Sequence, residues 1–137
     1  MRIDHVGVAV KDIREGIRFY SEALGLSVLH EEEVAAQKVR VAFLGEPGAE
    51  ASIELLEPLG AEGAVAKFLA ERGPGMHHVA FHSPDIAGDM ARLRAGGRPP
   101  LDAAPRPGAR GHSVCFLHPK HGLGTLIELV GEGHDRG

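Results

Sequence analysis

The feature that most constrains this chain is internal repetition. Ile3-Asp4-His5-Val6-Gly7-Val8 matches Met76-His77-His78-Val79-Ala80-Phe81 at a shift of 73 positions. At the same shift Asp12-Ile13 meets Asp85-Ile86, Ile17 meets Met90, Tyr20 meets Leu93, and Phe43-Leu44 meets Phe116-Leu117. The shift becomes 74 at the end, where Ile53-Glu54-Leu55 meets Ile127-Glu128-Leu129, so one residue has been inserted net between the copies. Agreement across a strand, a helix and a later strand, in one register, marks a duplicated unit rather than two similar strands.

Each copy reads as βαβββ. Residues 2–10 alternate around branched apolar side chains, the pattern of a half-buried strand. Asp12 offers an N-cap with Glu15 as its capping-box partner. Ile13, Ile17, Tyr20 and Leu24 then recur on one helical face, and Gly25 stops the helix. Strands are expected near 27–33, 38–44 and 51–57, with Gly45-Glu46-Pro47-Gly48 as the last turn. In the second copy, strand 76–82 leads to Asp85 as cap and to a helix carrying Ile86, Met90 and Leu93, ended by Gly96-Gly97. Strands are expected near 98–102, 112–117 and 124–130, and the Pro- and Gly-rich 103–111 segment reads as a loop. Val65, Phe68 and Leu69 place a linker helix in 61–72. The expectation is one domain over 1–137, α+β in class. Module 1 covers about 1–60, the linker helix about 61–73 and module 2 about 74–131. A lone βαβββ unit leaves one sheet face bare. Two tandem units can form a curved mixed sheet around a shared cleft.

Four polar side chains interrupt the apolar strands at repeated positions. His5 and His78 correspond, as do Glu54 and Glu128. A carboxylate inside an apolar strand is costly without a partner, and a dication shared with two imidazoles would supply one. The repeat also separates the adjacent histidines: His77 aligns with Asp4 and His78 with His5, and alternation lets only one of them face the cleft. His78 is the expected ligand. Two imidazoles and two carboxylates, with no thiolate, suit Co²⁺, Mn²⁺, Ni²⁺, Zn²⁺ or Mg²⁺ and leave two positions open in an octahedral shell.

Other residues carry less. Cys115, the single cysteine, lies in an apolar strand and reads as a core thiol. One cysteine makes no internal disulfide, and the beginning Met1-Arg2-Ile3-Asp4-His5 lacks a signal-peptide pattern, so a cytoplasmic location is expected. A net charge of −4 with no basic stripe argues against nucleic acid, and no apolar run is long enough to span a bilayer. Glu31-Glu32-Glu33 reads as a solvated strand end, and His118-Pro119-Lys120-His121-Gly122 as a turn. His30, His82, His112, His121 and His134 have no counterpart in the repeat.

The paired βαβββ plan with strand-borne His, Glu, His and Glu resembles the vicinal oxygen chelate (glyoxalase/bleomycin resistance/dioxygenase) superfamily. Over nearly its whole length the chain is similar to the methylmalonyl-CoA epimerases of that superfamily. The segments that carry this are Ile3–Gly7, Gln37–Leu44, Ile53–Gly60, Gly75–Phe81, and Phe116–Lys120 running on to Leu126–Leu129. The resemblance implies interconversion of (R)- and (S)-methylmalonyl-CoA through a metal-stabilised enolate. It also implies metal ligation by His5, Glu54, His78 and Glu128, with Co²⁺ as first choice, a small-molecule acyl-CoA partner and a homodimer. Some relatives have Gln at position 54. Some carry a Glu, proposed as base, where this chain has Val41, which cannot accept a proton; Glu128 or a metal-bound water is left to serve. Arg110 and Lys120 are candidate contacts to the substrate carboxylate or CoA phosphates. Alternatives are a lactoylglutathione lyase of the glyoxalase I type, a ring-cleaving dioxygenase, and a metal-free, drug-sequestering binding protein on the same fold. A facial triad would leave Glu54 unexplained, and a metal-free protein would leave all four strand residues unexplained.

Overall fold

Branched apolar residues alternating with small and polar ones make Arg2–Ala9 the first strand, β1. The computed structural model describes residues 1–133. It divides into two compact units, His5–His77 and Met1–Asp4 with His78–Gly137.

In the first unit, α1 spans Ile13–Arg18. Its first N–H groups are held by Asp12, whose Oδ1 accepts from Arg14 N at 2.9 Å, and by Glu57, whose Oε2 accepts from Ile13 N at 2.9 Å. The helix then widens into π turns over Phe19–Ala23, and Gly25, at φ +73°, ends it. Strands β2 (Ser27–Val34), β3 (Val39–Gly45) and β4 (Ser52–Pro58) follow. β2 and β3 are antiparallel, β3 and β4 are antiparallel, and β4 runs parallel to β1, giving the order β2-β3-β4-β1. The register decides the faces, because residues opposite one another share one. Ala42 and Leu55 point toward α1, where with Leu44 and Ile13 they are at most 1% exposed. Each of the leucine and isoleucine side chains contributes about 1.5–3 kcal/mol by leaving water, and the Ala42 methyl less. Helix α2, Ala64–Arg72, lies where Val65, Phe68 and Leu69 place it.

The second unit repeats the plan. β5 (Gly75–His82) leads to α3 (Ile86–Ala95), capped by Asp85, whose Oδ1 accepts from Gly88 N at 3.0 Å. The order β5-β8-β7-β6 mirrors the first unit, with β5 parallel to β8 and β7 antiparallel to β8. Met90, Cys115 and Leu129 form the core under α3, with Phe81, Ile86 and Leu93 packed on it.

Two strand expectations are corrected here. Residues 98–102 are not a strand: Pro99 and Pro100 lack the N–H groups a ladder needs. The outer strand β6 is instead the two-residue Arg106–Pro107, paired to β7 (His112–Leu117). The last strand, β8, runs Ile127–Gly133 rather than 124–130, because the turn at 118–125 continues through Leu123 at φ +58° and Gly124 at φ +95°. Among the described residues, no helix is long and apolar enough to cross a membrane.

Candidate metal centre

Each unit presents one histidine and one glutamate on the face opposite its helix. In the first, β1 and β4 run parallel with His5 opposite Ser52 and Gly7 opposite Glu54. His5 and Glu54 therefore lean toward each other, and His5 Nε2 stands 3.1 Å from Glu54 Oε1. In the second, Ala80 lies opposite Glu128, and His78 Nε2 stands 3.2 Å from Glu128 Oε1. The duplication thus returns the same pair at the same spacing. All four residues are 3–5% exposed.

A phenylalanine braces each imidazole. Phe43 meets the His5 ring edge-on at 5.4 Å, and its counterpart Phe116 meets His78 edge-on at 5.9 Å. Phe43 is the cross-strand partner of Glu54, and Phe116 of Glu128. One aromatic residue per copy therefore shapes the surroundings of both candidate ligands. His77 goes elsewhere: its ring meets Phe68 of α2 edge-on at 5.1 Å.

The donor set fits a divalent cation. His5, Glu54, His78 and Glu128 are buried and each offers one ligand atom. Two carboxylates balance the charge of a dication, two imidazoles add neutral nitrogen donors, and the set contains no thiolate. Buried carboxylates left without countercharge would cost several kcal/mol each, so a cation also answers their burial.

The remaining singled-out residues are not at these pairs. Cys115 is 1% exposed in the α3 core, and burial pushes its thiol up to about 12, which fits a packing role. It lines a cavity of about 370 Å³ with Phe81, Leu93 and Leu129. Arg110, itself at φ +60°, donates from Nη2 to Asp4 Oδ2 at 2.6 Å. The Lys120 backbone N–H donates to His118 Nδ1 at 3.0 Å inside the expected turn. Glu31, Glu32 and Glu33 lie at the end of β2, just before its last residue, Val34, with Glu31 and Glu33 exposed: Glu31 pairs with Arg14, Glu32 with His30, and Glu33 with Arg40. Hydrogen bonding to Glu33, then its charge, raises the Arg40 guanidinium further. His82 pairs with Glu132, whereas His134 lies outside the described residues.

One functional candidate escapes a reading based on the repeat. His30 Nε2 lies 2.8 Å from Glu32 Oε1, and His30 is opposite Phe43 on β3. The dyad therefore shares the face of His5 and Glu54. The available signal was the His-x-Glu spacing on a strand, which puts both side chains on one side.

Comparison with known proteins adds three kinds of likeness. The profile of the Glyoxalase/Bleomycin resistance protein/Dioxygenase superfamily matches residues 4–116. An ethylmalonyl-CoA/methylmalonyl-CoA epimerase of Cereibacter sphaeroides is 38% identical over 131 residues, covering 93% of this chain and 96% of that protein. The crystal structure of methylmalonyl-CoA epimerase from Mycobacterium tuberculosis superimposes with a TM-score of 0.92 at 38% identity, over 97% of this chain and 89% of that one. A Streptomyces coelicolor methylmalonyl-CoA epimerase in complex with 2-nitronate-propionyl-CoA gives 0.90 at 40% identity, over 96% of each chain.

Proposed function

The chain belongs to the Glyoxalase/Bleomycin resistance protein/Dioxygenase superfamily, and from that premise we propose that it is an isomerase interconverting the (R) and (S) epimers of methylmalonyl-CoA. The observation that carries this reading is the duplicated, buried His–Glu pair, repeated at 3.1 and 3.2 Å in a chain that matches an epimerase of Cereibacter sphaeroides over 96% of that protein and one of Mycobacterium tuberculosis over 89%.

We propose that His5, Glu54, His78 and Glu128 together hold one divalent cation, with Co²⁺ ahead of Mn²⁺, Ni²⁺, Zn²⁺ and Mg²⁺. When bound, the cation supplies positive charge that polarises the thioester carbonyl and makes the C2 proton more acidic. The protein's own contribution is positional. Phe43 and Phe116, edge-on to the two imidazoles, hold the ring planes. Burial of the four donors keeps water from competing for them. Glu128 is the carboxylate we assign to proton transfer at C2. We also read residues 1–137 as one domain of two modules, acting as a cytoplasmic homodimer. The unpaired thiol of Cys115 supports the location and the prevalence of two-fold assemblies supports the dimer.

The test is an exchange assay. Incubated with (R)- or (S)-methylmalonyl-CoA in deuterated water, the protein is expected to label C2 and equilibrate the epimers. Chelation is expected to stop both, and added divalent metal to restore them. Metal-replete protein that neither labels nor inverts this substrate would remove the reading.

A further inference from the structure

The proline-rich segment after α3 forms only a two-residue strand, β6, yet it reaches the candidate ligand His78 through side-chain contacts that lie wholly within the second unit. Pro105 and Pro107 flank Arg106 and favour an extended backbone there. β6 sets Arg106 opposite Val114 of β7. Its side chain therefore shares a face with Phe116, two residues along that strand and within reach of a long side chain. Gly108 permits the close approach: a Cβ there would stand 2.6 Å from Val114 Cγ1.

Three contacts close a ring. The Arg106 guanidinium stacks over Phe116, 5.4 Å from the ring centroid. Arg106 Nε pairs with Asp102 Oδ1 at 2.9 Å, and Asp102 Oδ2 accepts from Phe116 N at 2.9 Å. One carboxylate thus holds both the guanidinium and the backbone of the residue that it covers. The same phenyl ring packs on Ala80, Val114 and Val130, and it meets His78 edge-on at 5.9 Å.

Exposure gives such a clamp its use. Phe43, the counterpart in the first unit, is 1% exposed, and its burial confines it. Phe116 is only partly buried, and the guanidinium supplies cover that the core does not. Arg106 and Asp102 also balance each other's charge, so the pair acts on its surroundings through the ring more than through a net field.

We propose that Arg106, held by Asp102, is a positioning residue for His78. It fixes the Phe116 ring, and the ring fixes the imidazole in the orientation that receives a divalent cation. The proposal rests on the reading above that His78 is a ligand. An imidazole already held in place loses less freedom on binding, so the ion is held more tightly.

The experiment measures Co²⁺ affinity of the full chain by competition with a chromophoric chelator, together with the visible absorption of the bound ion. It compares wild type with Arg106→Gln, Asp102→Asn and, as a control, Arg94→Gln. Arg94 ties the same segment, but through the backbone carbonyls of Asp102 and Ala103 rather than through the ring. Arg106→Gln and Asp102→Asn are each expected to keep their circular dichroism, to weaken Co²⁺ binding by about tenfold and to shift its absorption bands. Arg94→Gln should stay within about twofold of wild type. The sign separates a clamp from a charge effect. Through charge alone, Arg106→Gln would tighten binding and Asp102→Asn would weaken it. A clamp weakens binding in both. In the metal-free chain, the His78 ring protons should also shift in the NMR spectrum of Arg106→Gln as the Phe116 ring moves. Binding by Arg106→Gln that is unchanged or tighter overturns the proposal, and so do unshifted His78 protons. An equal loss in Arg94→Gln overturns it too, since the effect would then be a general loosening of the segment. If the wild-type chain takes up no Co²⁺, or His78→Ala binds it as tightly, the ligand reading fails first and the proposal falls with it.

Discussion

The two copies of the module agree where they present candidate ligands and part where they meet solvent. The strands bearing His5 and Glu54 match those bearing His78 and Glu128, down to the bracing phenylalanine. Their outer edges differ. The first copy has an eight-residue β2 carrying His30 and Glu32. The second has a two-residue β6 behind a proline-rich loop. There Asp102 accepts from Phe116 N at 2.9 Å and pairs with Arg106 Nε at 2.9 Å, while Arg94 donates to the Ala103 carbonyl at 2.6 Å. Side-chain bonds, with one backbone bond from Leu101 N to Phe116 O at 2.8 Å, thus hold this loop where the first copy has a longer backbone ladder. The inner strands carry one His–Glu pair in each copy, whereas the outer strand has diverged and in one copy carries the His30–Glu32 pair.

The sharpest way to break the comparison is to treat the copies as equals. His5→Ala and His78→Ala are each expected to abolish stoichiometric metal binding and lower inversion by about a thousandfold or more. The two losses should agree within about tenfold, as read by metal per chain and by epimer equilibration. If one variant keeps metal and activity, the copies do not contribute alike.

A smaller effect sharpens the difference between the edges. Asp102→Ala removes the acceptor for Phe116 N–H and the partner of Arg106, and is expected to cost about 1–3 kcal/mol in urea unfolding. The position one repeat earlier is Leu29, 42% exposed, and Leu29→Ala should cost less than about 1 kcal/mol. Equal costs would mean that the outer loop of the second copy needs no such tie.

The smallest effect concerns pH. His112 stands where the first copy has Val39, buried to 1%. Burial, and then the charge of Arg110, lower the His112 pKa from its ordinary 6.5. Below that value the unfolded chain takes up a proton that the folded chain refuses. Stability from this residue is therefore full above about 6.5 and falls as the pH drops toward the lowered folded value. His112→Val, which restores the residue of the other copy, is expected to make urea midpoints fall less between pH 7 and 5. An unchanged slope would show that His112 titrates alike in both states.

Much of this was legible from side-chain order alone, for a physical reason. Alternation in Arg2–Ala9 and Gly75–His82 reports a sheet with one face against a helix, and Asp12 and Asp85 report where each helix starts. The four candidate ligands were legible because a polar residue in an apolar strand is conspicuous and here occurs twice. What was missed has equally definite causes. Arg98–Asp102 carried apolar residues in a strand-like setting, but Pro99 and Pro100 cannot donate. His30 and Glu32 were passed over because a search for repeated positions cannot see what only one copy acquired. Glu57 as a partner of the α1 amino end depends on a contact between residues 44 positions apart, which no local pattern encodes.

Consider finally the strand β4, which offers Glu54 on one side and, three residues on, Glu57 on the other. Glu57 ties the first N–H of α1 and, through Oε1, Arg40 of the neighbouring strand. Odd and even positions of a single ribbon are thus answerable to different tasks, one to the candidate metal centre and one to architecture. A protein engineer could rewrite residues 30, 32, 41 and 54 in search of a new reaction while leaving every side chain beneath the helix as it stands. Such a scaffold is evolvable because a change of trade does not require rebuilding the workshop.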